Sequence, residues 1–329
     1  MEKNVIFNKN SRDSFIDFIK AYTIICVLLG HTIPYLKESG YWLWYGMQVP
    51  FFILIQVFHV FKKDKPQFKL GKVVIRVVLP YMIVQVGMFF ALLMGGDDGF
   101  KSLINMFVRG GGVGPGSYYP WIYLQIAFLL PLLKPWFDRG SKKQKTIVAL
   151  AICELLEIIS SVINLPDSLY RLLAIRYLFL IYLGWIWVKE GIVINRKTLF
   201  WSILSMLTIV YLAYFYVNME PWFYDTVWRV HRWPCYFYVS TLLSYFLYVM
   251  YRKTRHFGVI RKAIAMLSNC SYEIFLTQMA IITLLPSMYF IENDQVRFVF
   301  RFTLIWVMSI VGGYFFNKIY NRFTHNWIV

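Results

Sequence analysis

Charge is scarce in this 329-residue chain: 16% of residues are Asp, Glu, Lys or Arg, and acids are the scarcer sign, at 17 against 34 bases. A soluble globule carries roughly 25% charged residues and about 45–50% apolar ones, whereas this chain is 59% hydrophobic and 20% aromatic. No long polar stretch is present from which a separate water-soluble core could be built, so one polytopic membrane domain over 1–329 is expected. Cysteine is also sparse. Cys26, Cys153, Cys235 and Cys270 lie far apart with no C-x-x-C spacing, which excludes a disulfide framework or a zinc ribbon and leaves them as packing residues. No metal site is expected. A net charge of +17 would suggest nucleic acid in a soluble chain, but in a polytopic one cationic loops mark the cytoplasmic side, so nucleic acid is not an expected partner.

The apolar runs are helix-length, and none shows the ten-residue alternation of a barrel strand. They place about ten transmembrane helices near 15–36, 41–61, 73–95, 119–137, 146–164, 170–188, 198–218, 233–251, 266–290 and 298–320, an all-α fold. Lys and Arg in alternate connections divide into about 23 on one side and about seven on the other. The richer side holds Lys62 to Lys72, Lys134 to Lys145 and Arg252 to Lys262, together with both termini, which should therefore face the cytoplasm. The first apolar segment lacks a small-residue cleavage site and is expected to remain as a helix. The longest stretch without a helical pattern, Gly95 to about Tyr119, contains GGGVGPG at 110–116 and falls on the outer side. It reads either as a functional loop or as a mobile linker. It is not a nucleotide cradle, because no strand precedes it and no G-K-[ST] follows.

Ionisable groups inside apolar spans are costly and tend to face the bundle interior, so they point to chemistry. The first span has the densest set. Asp13 to Asp17, Asp17 to Lys20 and Lys20 to His31 are separated by four, three and eleven residues, and all return to one helical face. Eleven residues turn through about 1100° and rise about 16 Å, so Lys20 and His31 share a stripe at different depths. With Lys20 at the cytoplasmic boundary and Lys37 at the outer one, His31 falls somewhat beyond the bilayer centre. A lone buried imidazole is usually a neutral hydrogen-bonding group. Its alignment with Asp17 and Lys20 instead favours a general base that takes a hydroxyl proton as that oxygen attacks an acyl carbon. Asp17 and Lys20 also admit the simpler role of an interfacial ion pair.

The Lys20-x10-His31 arrangement, preceded by F-I-D-F-I-K, resembles the first-helix signature of the acyltransferase 3 family of integral membrane O-acyltransferases. VPFFILIQVF at 49–58, KLGKVVIRVVLPY, YYPWIYLQIAFLLPLL and LSNCSYEIFLTQ resemble later helices of that family, in the expected order. Gln278 stands where many members carry histidine, and Gln56 and Val57 replace a small pair. No hydrolase-like domain is expected after the last helix. The resemblance implies transfer of an acyl group, usually acetyl from acetyl-CoA on the cytoplasmic side, to a hydroxyl of a cell-surface polysaccharide or lipid-linked glycan. The expected location is a bacterial inner membrane.

The residues agree with that expectation. Coenzyme A is a polyanion with a long thioester-bearing arm, and Lys69, Lys72 and Arg76 fall on one helical face running inward from a cytoplasmic loop. With Lys20 they are the candidate cofactor-binding residues, and His31, as base or transient acyl carrier, and Asp17 are the candidate catalytic ones. Glu154 and Glu157, with Arg171 and Arg176 on the next span, form either buried salt bridges or a sugar site. Glu273 and Arg301 present the same choice. Tyr118, Tyr119, Trp121, Trp42, Trp44, Trp222, Trp228 and Trp233 are interfacial anchors, among which Tyr119 and Trp121 are candidates for stacking on a sugar ring. His59 and His256 near cytoplasmic loops, and His231 and His325 near interfaces, read as solvated. The rival from another class is a transporter or flippase of an anionic or lipid-linked sugar. Against it stand a basic mouth on one side only and the lack of paired broken helices.

Overall fold

Asp13 sets the start of the first helix. In the computed structural model, which describes residues 3–5, 13–33, 47–95, 100–218, 235–285 and 292–328, its carboxylate accepts from the backbone N–H of Phe15 at 2.9 Å and of Ile16 at 3.4 Å. These are donors that the first turn leaves without partners. Helix α1 (Ser14–Thr32) ends where Ile33 turns extended. It is followed by α2 (Gln48–Phe61), α3 (Leu70–Gly95), α4 (Phe100–Gly110), α5 (Tyr119–Asp138) and α6 (Lys142–Val162). A 3-10 turn at Ala174–Tyr177 leads into α7 (Leu178–Glu190). Then come α8 (Arg196–Asn218), α9 (235–254), α10 (Gly258–Asn269), α11 (Ser271–Leu284) and α12 (Asp294–Ile328). The described chain is all-α apart from one short antiparallel pair, β1 (Lys3–Val5) with β2 (Ile192–Ile194). Lys9, Arg12, Lys37, Trp42, Trp44, Trp222, Trp228, His231 and Trp233 lie outside the described residues, as does the outer end of the first expected span.

Helices cover most of the described residues, and three of them, Ser14–Thr32, Leu70–Gly95 and Asp294–Thr324, are long and apolar enough to cross a membrane by length and composition. The exterior is apolar where water would penalise it: Ile83, Val86 and Phe90 on α3, Leu204 and Leu207 on α8, and Val307, Val311 and Phe315 on α12 are all exposed. Lipid is the medium that suits such a surface.

The 95–119 segment differs from its reading as non-helical, because α4 occupies Phe100–Gly110. Phe100, Leu103, Ile104 and Phe107 recur at i, i+3, i+4 and i+7, the stripe of an amphipathic helix. The glycines beyond it form a buried turn. Gln85 on α3 clamps Val113 twice, accepting from its N–H at 2.8 Å and donating to its carbonyl at 2.9 Å. Trp121 Nε1 donates to the Gly111 carbonyl at 2.6 Å, and the Tyr81 hydroxyl donates to the same oxygen. Gly112 has φ +138°, and a Cβ there would meet the Tyr81 hydroxyl oxygen at 2.0 Å, so glycine is required twice over.

Helix α11 lies along α12 because Gly312 and Gly313 let the two backbones approach. A Cβ on Gly313 would come within 2.6 Å of the Ile274 Cα.

Candidate functional site

Pro80 explains the shape of α3. A proline inside a helix supplies no N–H and clashes with the preceding turn. Here the helix widens to a π turn over Val74–Val78, with the Leu79 N–H reaching back five residues to the Val74 carbonyl. The next bond of that pattern would run from residue 80 to Ile75, and Pro80 cannot make it. The Tyr320 hydroxyl from α12 donates to the Ile75 carbonyl instead, and the Tyr272 hydroxyl from α11 donates to the Val77 carbonyl at 2.8 Å. Both part-buried carbonyls are therefore served from outside the helix. Arg76 sits in the middle of this turn, and π turns concentrate at functional sites.

Arg76 faces a cavity of about 1060 Å³. One face of α2 lines it with Phe52, Ile55, Gln56, His59 and Val60, and Lys63 follows just past the helix end. Helix α3 and the approach to it add Phe68, Lys69, Lys72, Val73, Arg76 and Val77; α5 adds Tyr119, Tyr123 and Ala127; α11 adds Ser271, Tyr272 and Phe275. Lys20 reaches it from α1, and Tyr320 with two asparagines reaches it from α12. Lys20, Lys63, Lys65, Lys69, Lys72 and Arg76 make its wide end strongly cationic, with Glu273 the single acid among the described lining residues. Phe52 and Val60 are eight positions apart on α2, so that wall of the cavity runs for about 12 Å. At its far end stand the rings of Phe52, Tyr119 and Phe275, with the Phe52–Tyr119 and Tyr119–Phe275 centroids 5.7 and 6.0 Å apart. The arrangement suits a long ligand with a polyanionic head and an apolar tail.

The expected site residues divide around this cavity. Lys20, Lys69, Lys72, Arg76 and Tyr119 line it; Asp17, His31 and Trp121 do not. Asp17 accepts from Ser268 Oγ at 2.7 Å, which ties α1 to the last turn of α10. His31 lies in the last turn of α1 with its Nδ1 buried and without a hydrogen-bond partner. Its imidazole faces Gln278. The Gln278 Nε2 donates to the Val27 carbonyl at 3.3 Å, and its Oε1 is buried without a partner. Gln278 stands three residues beyond Phe275 on α11, so His31 lies just past the aromatic end of the cavity. Trp306 Nε1 donates to Thr32 Oγ1 at 3.2 Å and fixes the end of α1 against α12.

Trp121 packs the glycine turn through its bond to Gly111. Glu154 is half-buried and Glu157 buried on α6. Arg176 is buried in a nest of tyrosines, donating to the Tyr177 hydroxyl at 2.7 Å and lying 4.7 and 5.4 Å from the Tyr177 and Tyr170 ring centres. These three do not reach the cavity.

His59, read from sequence as solvated, is half-buried on the cavity wall within electrostatic range of Lys20 and Asp17. The signal for it was its spacing from Phe52, Ile55 and Gln56 on one face of α2. Among the described residues no cluster of metal-ligating side chains is present.

No curated protein and no solved structure matches the chain. The family model described as an acyltransferase domain matches residues 13–318, nearly the whole length. It takes in α1 with Lys20 and His31, the cationic wall of α3, and α11 with Phe275 and Gln278, and the chain belongs to the acyltransferase 3 family of membrane acyltransferases.

Proposed function

We propose that the protein is an O-acyltransferase with ten membrane crossings and both termini in the cytoplasm, residing in a bacterial inner membrane. It takes acetyl from acetyl-CoA on the cytoplasmic side and delivers it to a hydroxyl of a cell-surface polysaccharide or lipid-linked glycan. The observation that carries this reading is the polarity of the cavity: a mouth of five lysines and Arg76 gives way to aromatic rings one helical turn from the residue that His31 faces. Lys20, Lys69, Lys72 and Arg76 hold the phosphates, which orients the thioester inward.

His31 accepts the proton of the acceptor hydroxyl as that oxygen bonds to the acyl carbonyl carbon. The carbon–sulfur bond then breaks, and the imidazolium returns the proton to the departing thiolate. Asp17 positions α1 through Ser268. Glu157, Arg176 and Trp121 lie away from the donor cavity, and a sugar-binding role for them, and for Glu154, belongs to the acceptor side.

The test uses purified protein, radiolabelled acetyl-CoA and host glycan. Wild type is expected to label the glycan, and His31→Ala to lose about 100-fold or more in rate. Equal labelling by the two proteins would remove His31 from the chemistry. Vesicles that accumulate a sugar phosphate while no glycan is labelled would make the protein a transporter.

A further inference from the structure

We infer that Phe52, Tyr119 and Phe275 form the acyl-binding end of the cavity and set the length of acyl chain it admits, selecting short chains. This rests on the acyl-CoA reading and adds to it the part of the donor that each end receives.

Each of the three is the outermost lining residue on its own helix. α2 runs inward from Phe52 toward Lys63, α5 runs inward from Tyr119 toward Ala127, and α11 runs outward from Ser271 to Phe275. Three helices therefore deliver a ring to the same depth, and the rings touch: Phe52 and Tyr119 at 5.7 Å and 44°, Tyr119 and Phe275 at 6.0 Å and 78°. The wall is backed. Phe275 stacks on Tyr272 at 6.3 Å, and the glycine turn lies directly behind it, where a Cβ on Gly116 would come 2.7 Å from the Phe275 ring. That contact leaves the ring no room to retreat outward.

The chemistry then assigns the ends. Among the described lining residues, cations gather at the mouth and none lies on the far wall, so a ligand with phosphates at one end and an acyl group at the other enters in one orientation, with its acyl group against the rings. Added methylenes must push into packed aromatics, whereas discrimination in a rigid apolar pocket is about tenfold or more per methylene. Replacing Phe275 with alanine opens space at the position where a longer chain would run.

The experiment measures kcat/KM of the purified full-length protein with acetyl-, butyryl- and octanoyl-CoA, alongside desulfo-CoA affinity. Wild type is expected to prefer acetyl over octanoyl by about 100-fold or more. Phe275→Ala should gain at least about tenfold on octanoyl while losing on acetyl, with unchanged desulfo-CoA affinity. Phe275→Leu, which keeps most of the volume, should shift the profile in the same direction by less, and it serves if the alanine variant does not fold. A wild-type chain-length profile in a variant that still binds desulfo-CoA overturns the acyl wall alone. Failure of wild type to bind desulfo-CoA overturns both the wall and the acyl-CoA reading.

Discussion

Lys20 and His31 share one helix but serve different spaces: Lys20 lines the cationic mouth, and His31 lies past the aromatic end. Their substitutions should separate kinetically. Lys20→Ala is expected to raise KM for acetyl-CoA about tenfold with kcat little changed, because it removes ground-state binding of a phosphate. His31→Ala lowers kcat, and steady-state kinetics over a range of donor concentrations distinguishes the two. Raising ionic strength should weaken donor binding in wild type and do so less in Lys20→Ala. The relation of Lys20 to His31 was legible because both lie on one helix, where spacing fixes the face. For His59 the shared face with Phe52, Ile55 and Gln56 was legible, but the space that this face lines was not, since it depends on α5 and on α11, more than 200 positions further along the chain. The same holds for Phe275, whose importance comes from two rings on other helices.

At the scale of elements, the π turn in α3 depends on partners that stand far away in sequence. Tyr320→Phe keeps the ring but removes the hydroxyl that serves the Ile75 carbonyl, leaving a part-buried acceptor unpaired next to Arg76. The expected cost is about 0.5–1.5 kcal/mol of stability, seen as a lower midpoint in thermal unfolding, with a rise in KM for the donor as Arg76 loses its setting. Pro80 was visible in the sequence, but the bond it withholds becomes informative only once Tyr320 is found beside it. The amphipathic stripe of α4 was also present in the sequence, at Phe100, Leu103, Ile104 and Phe107. The run of glycines beside it read as an open loop, although those glycines are the condition for close packing on Tyr81, Gln85 and Phe275.

At the scale of the molecule, the end of the bundle where α5 meets α7 is held by charge as well as by packing. Asp138, at the end of α5, accepts from Lys134 at 2.7 Å, from Trp185 Nε1 at 3.0 Å and from Lys189 at 3.1 Å, joining α5 to α7. Burial works against its carboxylate, but the hydrogen bonds from Lys134, Trp185 and Lys189 outweigh it and hold the carboxyl well below its ordinary range. A depressed carboxyl stabilises the fold above its unfolded-state pKa and loses that effect as pH falls through the folded-state value. Asp138→Asn is therefore expected to lower the unfolding temperature by a few degrees at neutral pH, since the site is partly exposed and screened. The gap to wild type should close in strong acid, as scanning fluorimetry across pH will show.

The all-α class, the asymmetry of basic residues and the stripe on α1 were legible in composition and periodicity. The cavity was not, because helices from α1 to α12 must converge before it exists. The packed glycine turn gives this architecture one further property: any side chain larger than hydrogen at Gly112 or Gly116 would be felt at once by Tyr81 or by the Phe275 ring, so the turn and the aromatic end of the cavity behave mechanically as one body.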